Sequence, residues 1–145
     1  MQPRTEWSHA TRFDADPASV AKARTFVECH LEAHGRSRLV DDLRLIVSEL
    51  ATNAVVHGGA VPFTVSLEEA AGSVRVAVHD DGAATIAPRL ARREISETGR
   101  GLVIVEAVST DWGVSADPTG SKSVWASVDV SEIPDEVGEP AGARR

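Results

Sequence analysis

Apolar residues recur at helical spacing twice near the start of the chain. Val20, Ala23, Val27 and Leu31 are three or four residues apart, which predicts a helix with one apolar face. Asp16 can cap that helix, Pro17 can take its first position, and Gly35 can end it. Leu39, Leu43, Ile46, Val47, Leu50, Ala54 and Val55 predict a second helix over about residues 37–57, stopped at Gly58-Gly59. The period then changes from helical to two. Phe63, Val65 and Leu67 alternate with Thr64 and Ser66, and Val74, Val76 and Val78 alternate with Arg75, Ala77 and His79, so the segment predicts a β-hairpin with one buried face.

From residue 80 to 100 the periodicity disappears and Asp, Gly, Ala, Arg and Thr accumulate. A loop this long in a compact domain tends to be functional. A helical pattern resumes over Leu102–Val108, directly after Gly99-Arg100-Gly101, and Trp112–Ala116 and Val124–Val130 predict two more strands joined by the turn Asp117-Pro118-Thr119-Gly120. A further short strand is expected around Arg12-Phe13. The order of elements predicts an α+β fold, a two-layer sandwich with helices on one face of a mainly antiparallel sheet.

Composition narrows the picture. With 145 residues and one Cys, the chain has the length of one domain, can build its own core, and cannot form an internal disulfide. Residues 1–10 are polar and aperiodic, and 131–145 are rich in Pro, Gly and charge. The expected organisation is a flexible N-terminus over 1–10, a folded domain over 11–130 and a disordered tail over 131–145. No stretch approaches the roughly 20 apolar residues of a membrane span, and the N-terminus lacks the apolar centre of a signal peptide. A cytoplasmic protein is expected. A net charge of -7 opposes the counterion-release term on which nucleic-acid binding rests, so the expected partners are proteins, with neither nucleic acid nor membrane among them.

Four segments could carry chemistry. Glu49, Asn53 and His57 are spaced i, i+4, i+8 on the second helix and so share one stripe at the border of the core. A carboxylate and a carboxamide one turn apart suit a metal-phosphate site, Asn offering its oxygen to Mg²⁺ and Glu orienting or deprotonating a nucleophile; a solvated helix edge has the same pattern. His57, just before Gly58-Gly59, suits the negative end of the helix dipole better than catalysis. Asp80-Asp81-Gly82 follows a strand. A carboxylate there can accept from an exocyclic amine while Gly lets a flat ring approach, though an Asp-Gly turn is also a common loop. Gly99-Arg100-Gly101-Leu102 opens a helix, where free backbone N–H groups and the positive dipole end can hold phosphate; Arg92, Arg93 and Arg100 add cations. A plain loop-to-helix junction is the alternative. Cys29, His30 and His34 lack a complete ligand set for zinc. There is no Gly-x-Ser-x-Gly elbow and no Walker-type loop.

Taken in order, ELATNAVVHGG (49–59), VAVHDDG (76–82), TGRGLVIVEAV (98–108), DWGV (111–114) and GSKSVWASV (120–128) resemble the GHKL ATPase superfamily. The resemblance is closest to its anti-sigma regulatory factor branch, whose histidine-kinase-like domains act as serine/threonine protein kinases. It covers about residues 10–130 and implies a Bergerat-type fold binding ATP and Mg²⁺ under a lid formed by residues 83–98. It implies Glu49 as general base, Asn53 as the Mg²⁺ ligand, Asp80 for the adenine amino group and Gly82 for the adenine pocket. Gly99, Arg100, Gly101 and Leu102 would bind phosphates, and Ser123 would support the adenine pocket. The implied function is phosphorylation of a Ser or Thr on an anti-sigma factor antagonist, coupled to sequestration of a sigma factor, by a homodimer. A second class stays open, a non-catalytic, nucleotide-gated protein-binding regulator. Ala83-Ala84 follow the Asp-x-Gly turn, where some members have a second Gly, and Glu97-Thr98 stand where some kinases place an Arg.

Overall fold

A computed structural model describes residues 5–57, 60–80, 100–116 and 121–130. Strand β1 (Thr5–Phe13) leads to helix α1 (Ala18–Ala33), one 3₁₀ turn (Ser37–Leu39) and helix α2 (Val40–His57). Strands β2 (Phe63–Ala70) and β3 (Ser73–Asp80) follow, then helix α3 (Arg100–Val108) and strands β4 (Asp111–Ala116) and β5 (Lys122–Asp129). The strands form one five-stranded sheet in the order β1-β2-β3-β5-β4, antiparallel at every step. The predicted α+β sandwich is the fold the chain adopts.

Local chemistry sets the boundaries. Pro17 has helical dihedrals (φ −53, ψ −31), and Asp16 Oδ1 accepts the Ala18 N–H at 2.9 Å, the position an N-cap side chain serves. At the other end of α1, Arg36 N–H donates to Leu31 O and Gly35 N–H to Glu32 O. Gly35 has φ +75, which completes a Schellman stop. The hairpin turns on Ala71 (φ 54) and Gly72 (φ 80), two left-handed residues as a type I′ turn demands.

The core lies between the helices and one face of the sheet. Val27 and Leu31 of α1 and Leu43, Ile46, Val47, Leu50 and Ala51 of α2 are buried together with Phe63, Val65 and Leu67 of β2 and Val74, Val76 and Val78 of β3. Val105 of α3 and Val124, Ala126 and Val128 of β5 complete it. Each Val, Leu, Ile or Phe among them contributes about 1.5–3 kcal/mol on full burial.

The N-terminal boundary is corrected. Residues 5–10, expected within a flexible segment, belong to β1, which pairs with β2 from Thr5↔Ala70 to Phe13↔Phe63 with an irregularity between Thr5 and Trp7. Trp7 and Phe13 pack against the core, while His9 takes the inward position between them. Rings with polar atoms thus occupy places where an aliphatic residue would have made the period of two visible. The expected tail, 131–145, lies outside the described residues. No described helix is long and apolar enough to cross a membrane.

Candidate functional site

Helix α2 packs against α3, β3 and β5. It is therefore the element through which the candidate residues can share one space. Leu43, Ile46, Val47, Leu50 and Ala54 turn its apolar stripe into the core, and Glu49 and Asn53 fall on the half-buried margin of that stripe, one turn apart. Arg24 of α1 donates from Nη1 to Ser48 Oγ at 2.9 Å, tying the helix to its neighbour beside Glu49.

Asp80 ends β3 in phase with Val74, Val76 and Val78, on the face that the helices cover, and is 3% exposed. A carboxylate this far from water is costly unless its acceptor atoms are used. Its cross-strand neighbour is Lys122 of β5, 8% exposed and in phase with Val124, Ala126 and Val128. Directly opposite residues place their Cβ atoms about 4.5–5.5 Å apart. The sequence reading passed over Lys122, although a charged residue in the phase of three core positions was a signal available in the sequence.

Ser123 stands one residue away and so points to the other face of the sheet. Its Oγ is 3.0 Å from Nδ1 of His79, itself the neighbour of Asp80. Asp80 thus stands on the sheet face packed by α2, the helix that carries Glu49 and Asn53, and Ser123 stands on the opposite face. Helix α3 begins at Arg100, so the backbone of Arg100, Gly101 and Leu102 forms the first turn, where N–H groups lack helical acceptors. Gly82, Gly99 and the expected lid over 83–98 lie outside the described residues.

The uncovered face is built differently. The Arg75 guanidinium lies 4.0 Å from the centre of the Trp125 ring. That ring lies over Gly113, where an added Cβ would come within 2.7 Å of it. An open depression of about 450 Å³ at the hairpin end of this face is lined by Glu68, Ser73, Arg75, Thr110, Asp111 and Ser127, and none of the candidate residues reaches it.

At the far end of the covered face, Arg36 holds Glu69 in a two-pronged pair, Nε to Oε1 at 2.9 Å and Nη2 to Oε2 at 2.7 Å. The Trp7 indole N–H adds a third bond at 3.1 Å. Hydrogen bonding from Arg36 holds the Glu69 carboxyl below the usual carboxylate range, against burial, which works the other way. Among the described residues no group of three or more His, Cys, Asp or Glu is arranged to hold a metal ion. A Mg²⁺ site of the kind expected of Asn53 needs no such cage, because this ion is commonly held by one or two protein oxygens together with substrate phosphates.

The candidate residues lie on an antiparallel sheet covered by helices on one face. Dinucleotide and P-loop folds instead place their phosphate loop between a parallel strand and its helix. A family model described as the histidine kinase-like ATPase domain matches residues 13–127, and the chain belongs to that family, which implies that it binds ATP. The crystal structure of the RsbU and RsbW domains of Rv1364c from Mycobacterium tuberculosis has a similar fold, with a TM-score of 0.64 and 21% identity over 85% of this chain and 32% of that one. The chain thus spans about a third of that neighbour's length. No curated protein matches the chain.

Proposed function

We propose that the chain is an ATP-dependent serine/threonine protein kinase of the anti-sigma regulatory type, which phosphorylates an anti-sigma factor antagonist, sequesters a sigma factor, and works as a homodimer. The observation that carries the reading is the pairing of Glu49 with Asn53 on the face of α2 that borders the core, with Asp80 buried on the sheet face that α2 covers. The fold shared with the structure of the RsbU and RsbW domains of Rv1364c adds to it.

Each residue has a distinct task. Asp80 accepts from the adenine amine, and Gly82 leaves room for the ring. The backbone N–H groups at Gly99, Arg100, Gly101 and Leu102 receive the phosphates at the positive end of α3. Asn53 offers its carboxamide oxygen to Mg²⁺, which when bound offsets negative charge on the phosphate oxygens. Glu49 takes the proton from the attacking Ser or Thr hydroxyl, a contribution typically of about 10²–10⁴-fold in rate. Transfer of labelled phosphate to the antagonist, measured beside ATP affinity, tests this. Glu49→Ala should cut transfer by about 10²-fold or more and leave ATP affinity within about threefold. Equal rates for the two proteins would remove Glu49 as the base. Partner capture gated by ATP, with no transfer by the unaltered protein, would instead establish a non-catalytic regulator.

A further inference from the structure

Three of the five histidines of the chain meet where β1 crosses α1. His9 Nε2 lies 2.9 Å from His34 Nε2. The His9 ring stacks on that of His30 at 3.8 Å between centroids, and His34 stacks on Trp7 at 4.1 Å and 2°. Phe26 closes the far side, edge-on to His30 at 4.8 Å. An N···N contact of this length holds one proton: one nitrogen donates and the other accepts. If both rings were charged, two donors would face each other and two positive charges would stand within touching distance.

Among the described residues, the charged groups beside the cluster include Glu69 on β2, which interacts with His34, and Arg36 after α1, which in turn interacts with Glu6 of β1. Through its electrostatic interaction with His34, Glu69 favours added protons, but it is already engaged by Arg36. His30 gains a proton less readily than a free imidazole, first because it is partly buried and then because His9 and His34 face it.

We propose that His9, His30 and His34 form a proton-operated latch that clasps the edge strand β1 to α1 while the three rings carry at most one proton beyond their neutral forms, and releases it when a second such proton is taken up in mildly acidic medium. The sense of the change follows from competition for protons. A free imidazole is half protonated near pH 6.5 and largely neutral about one unit above it. Below that, the free form takes up protons that the docked form resists, so docking weakens as pH falls. The release is local, because β1 lies at the sheet edge and pairs with β2 alone. This inference does not depend on the kinase reading.

Amide hydrogen exchange of the full chain, corrected for intrinsic rates, tests the latch. Protection of the β1 amides should fall by about tenfold or more between about pH 7.5 and about pH 5.5, while β3 and β5 change by less than about threefold. His34→Gln, which cannot charge, should abolish most of that step, and His79→Gln, on the opposite face, should leave it intact. A β1 protection that stays constant, or that falls in parallel with β3, overturns the latch, as does a step that survives His34→Gln. Nitrogen-15 titration of the unaltered protein reads the same question without a variant: mutually displaced transitions for the three rings support the latch, and three independent ones overturn it.

Discussion

Two acidic side chains are buried on the same face of the same hairpin, Glu69 of β2 at 7% exposure and Asp80 of β3 at 3%. The register Phe63↔Asp80 and Glu69↔Val74 puts them at opposite ends, roughly 20 Å apart at about 3.3 Å per residue. Glu69 is held by side chains of its own chain: Arg36 occupies both oxygens, and Trp7 adds a third donor. Asp80 stands where β3 ends, across from Lys122, on the face covered by the helix that carries Glu49 and Asn53. Burial alone therefore does not distinguish a structural carboxylate such as Glu69 from one that would bind a ligand, the role proposed for Asp80.

The contrast can be broken first at Asp80. Asp80→Asn should weaken ATP binding by about 30- to 100-fold, or about 2–3 kcal/mol for a charge-assisted hydrogen bond, measured by calorimetric titration. Unchanged affinity would show that Asp80 is as structural as Glu69.

Glu69→Ala should do the reverse. A fully buried ion pair loses about 3–5 kcal/mol when one partner goes, but Arg36 is 35% exposed and water screens it, so about 2 kcal/mol is expected. That corresponds to a fall in Tm of roughly 6–8 °C for a domain of this size, with ATP affinity retained. Acid should find the same group. Because Arg36 lowers the folded pKa of Glu69 from its ordinary 4.5, its stabilisation is present above about pH 4.5 and is lost as pH falls below that value through the folded one. In Glu69→Gln that part of the acid limb should flatten, as a urea midpoint series from about pH 6 down to about pH 3 would record.

The smallest effect is expected at the turn beside Glu69. Ala71 holds φ 54, a left-handed conformation that costs an L-residue with a Cβ about 1–2 kcal/mol. Ala71→Asn should raise stability by about 0.5–1 kcal/mol and leave ATP binding untouched. A loss of affinity would mean that the two ends of the hairpin are coupled.

How much of this was legible in the sequence depended on the range of the interactions. The hairpin declared itself because Val74, Val76 and Val78 alternate with smaller or polar residues, and α2 did so because its apolar residues keep helical spacing. Glu49 and Asn53 were found by the same rule, since one turn of helix is a local relation. What was missed lies in pairings that no local period encodes. Glu69 is satisfied by Arg36 and Trp7, far away in the chain, and β1 half-buries Trp7, His9 and Phe13 against elements that follow it. Which face of the sheet Ser123 takes was also not legible, because a shift of one residue in a strand exchanges one face for the other; the residue sharing the face of Asp80 is Lys122.

The sheet order has a consequence for how such a chain can diversify. β3 and β5 are neighbours in space, yet everything from residue 81 to 121 lies between Asp80 and its partner Lys122. The entropy of closing a long connection grows only logarithmically, with each doubling of length costing about 0.6 kcal/mol. Residues can therefore be added or removed between the end of β3 and the first turn of α3 with little penalty to the central strand pairing. Length changes in that connection should leave the pairing of Asp80 with Lys122 in place.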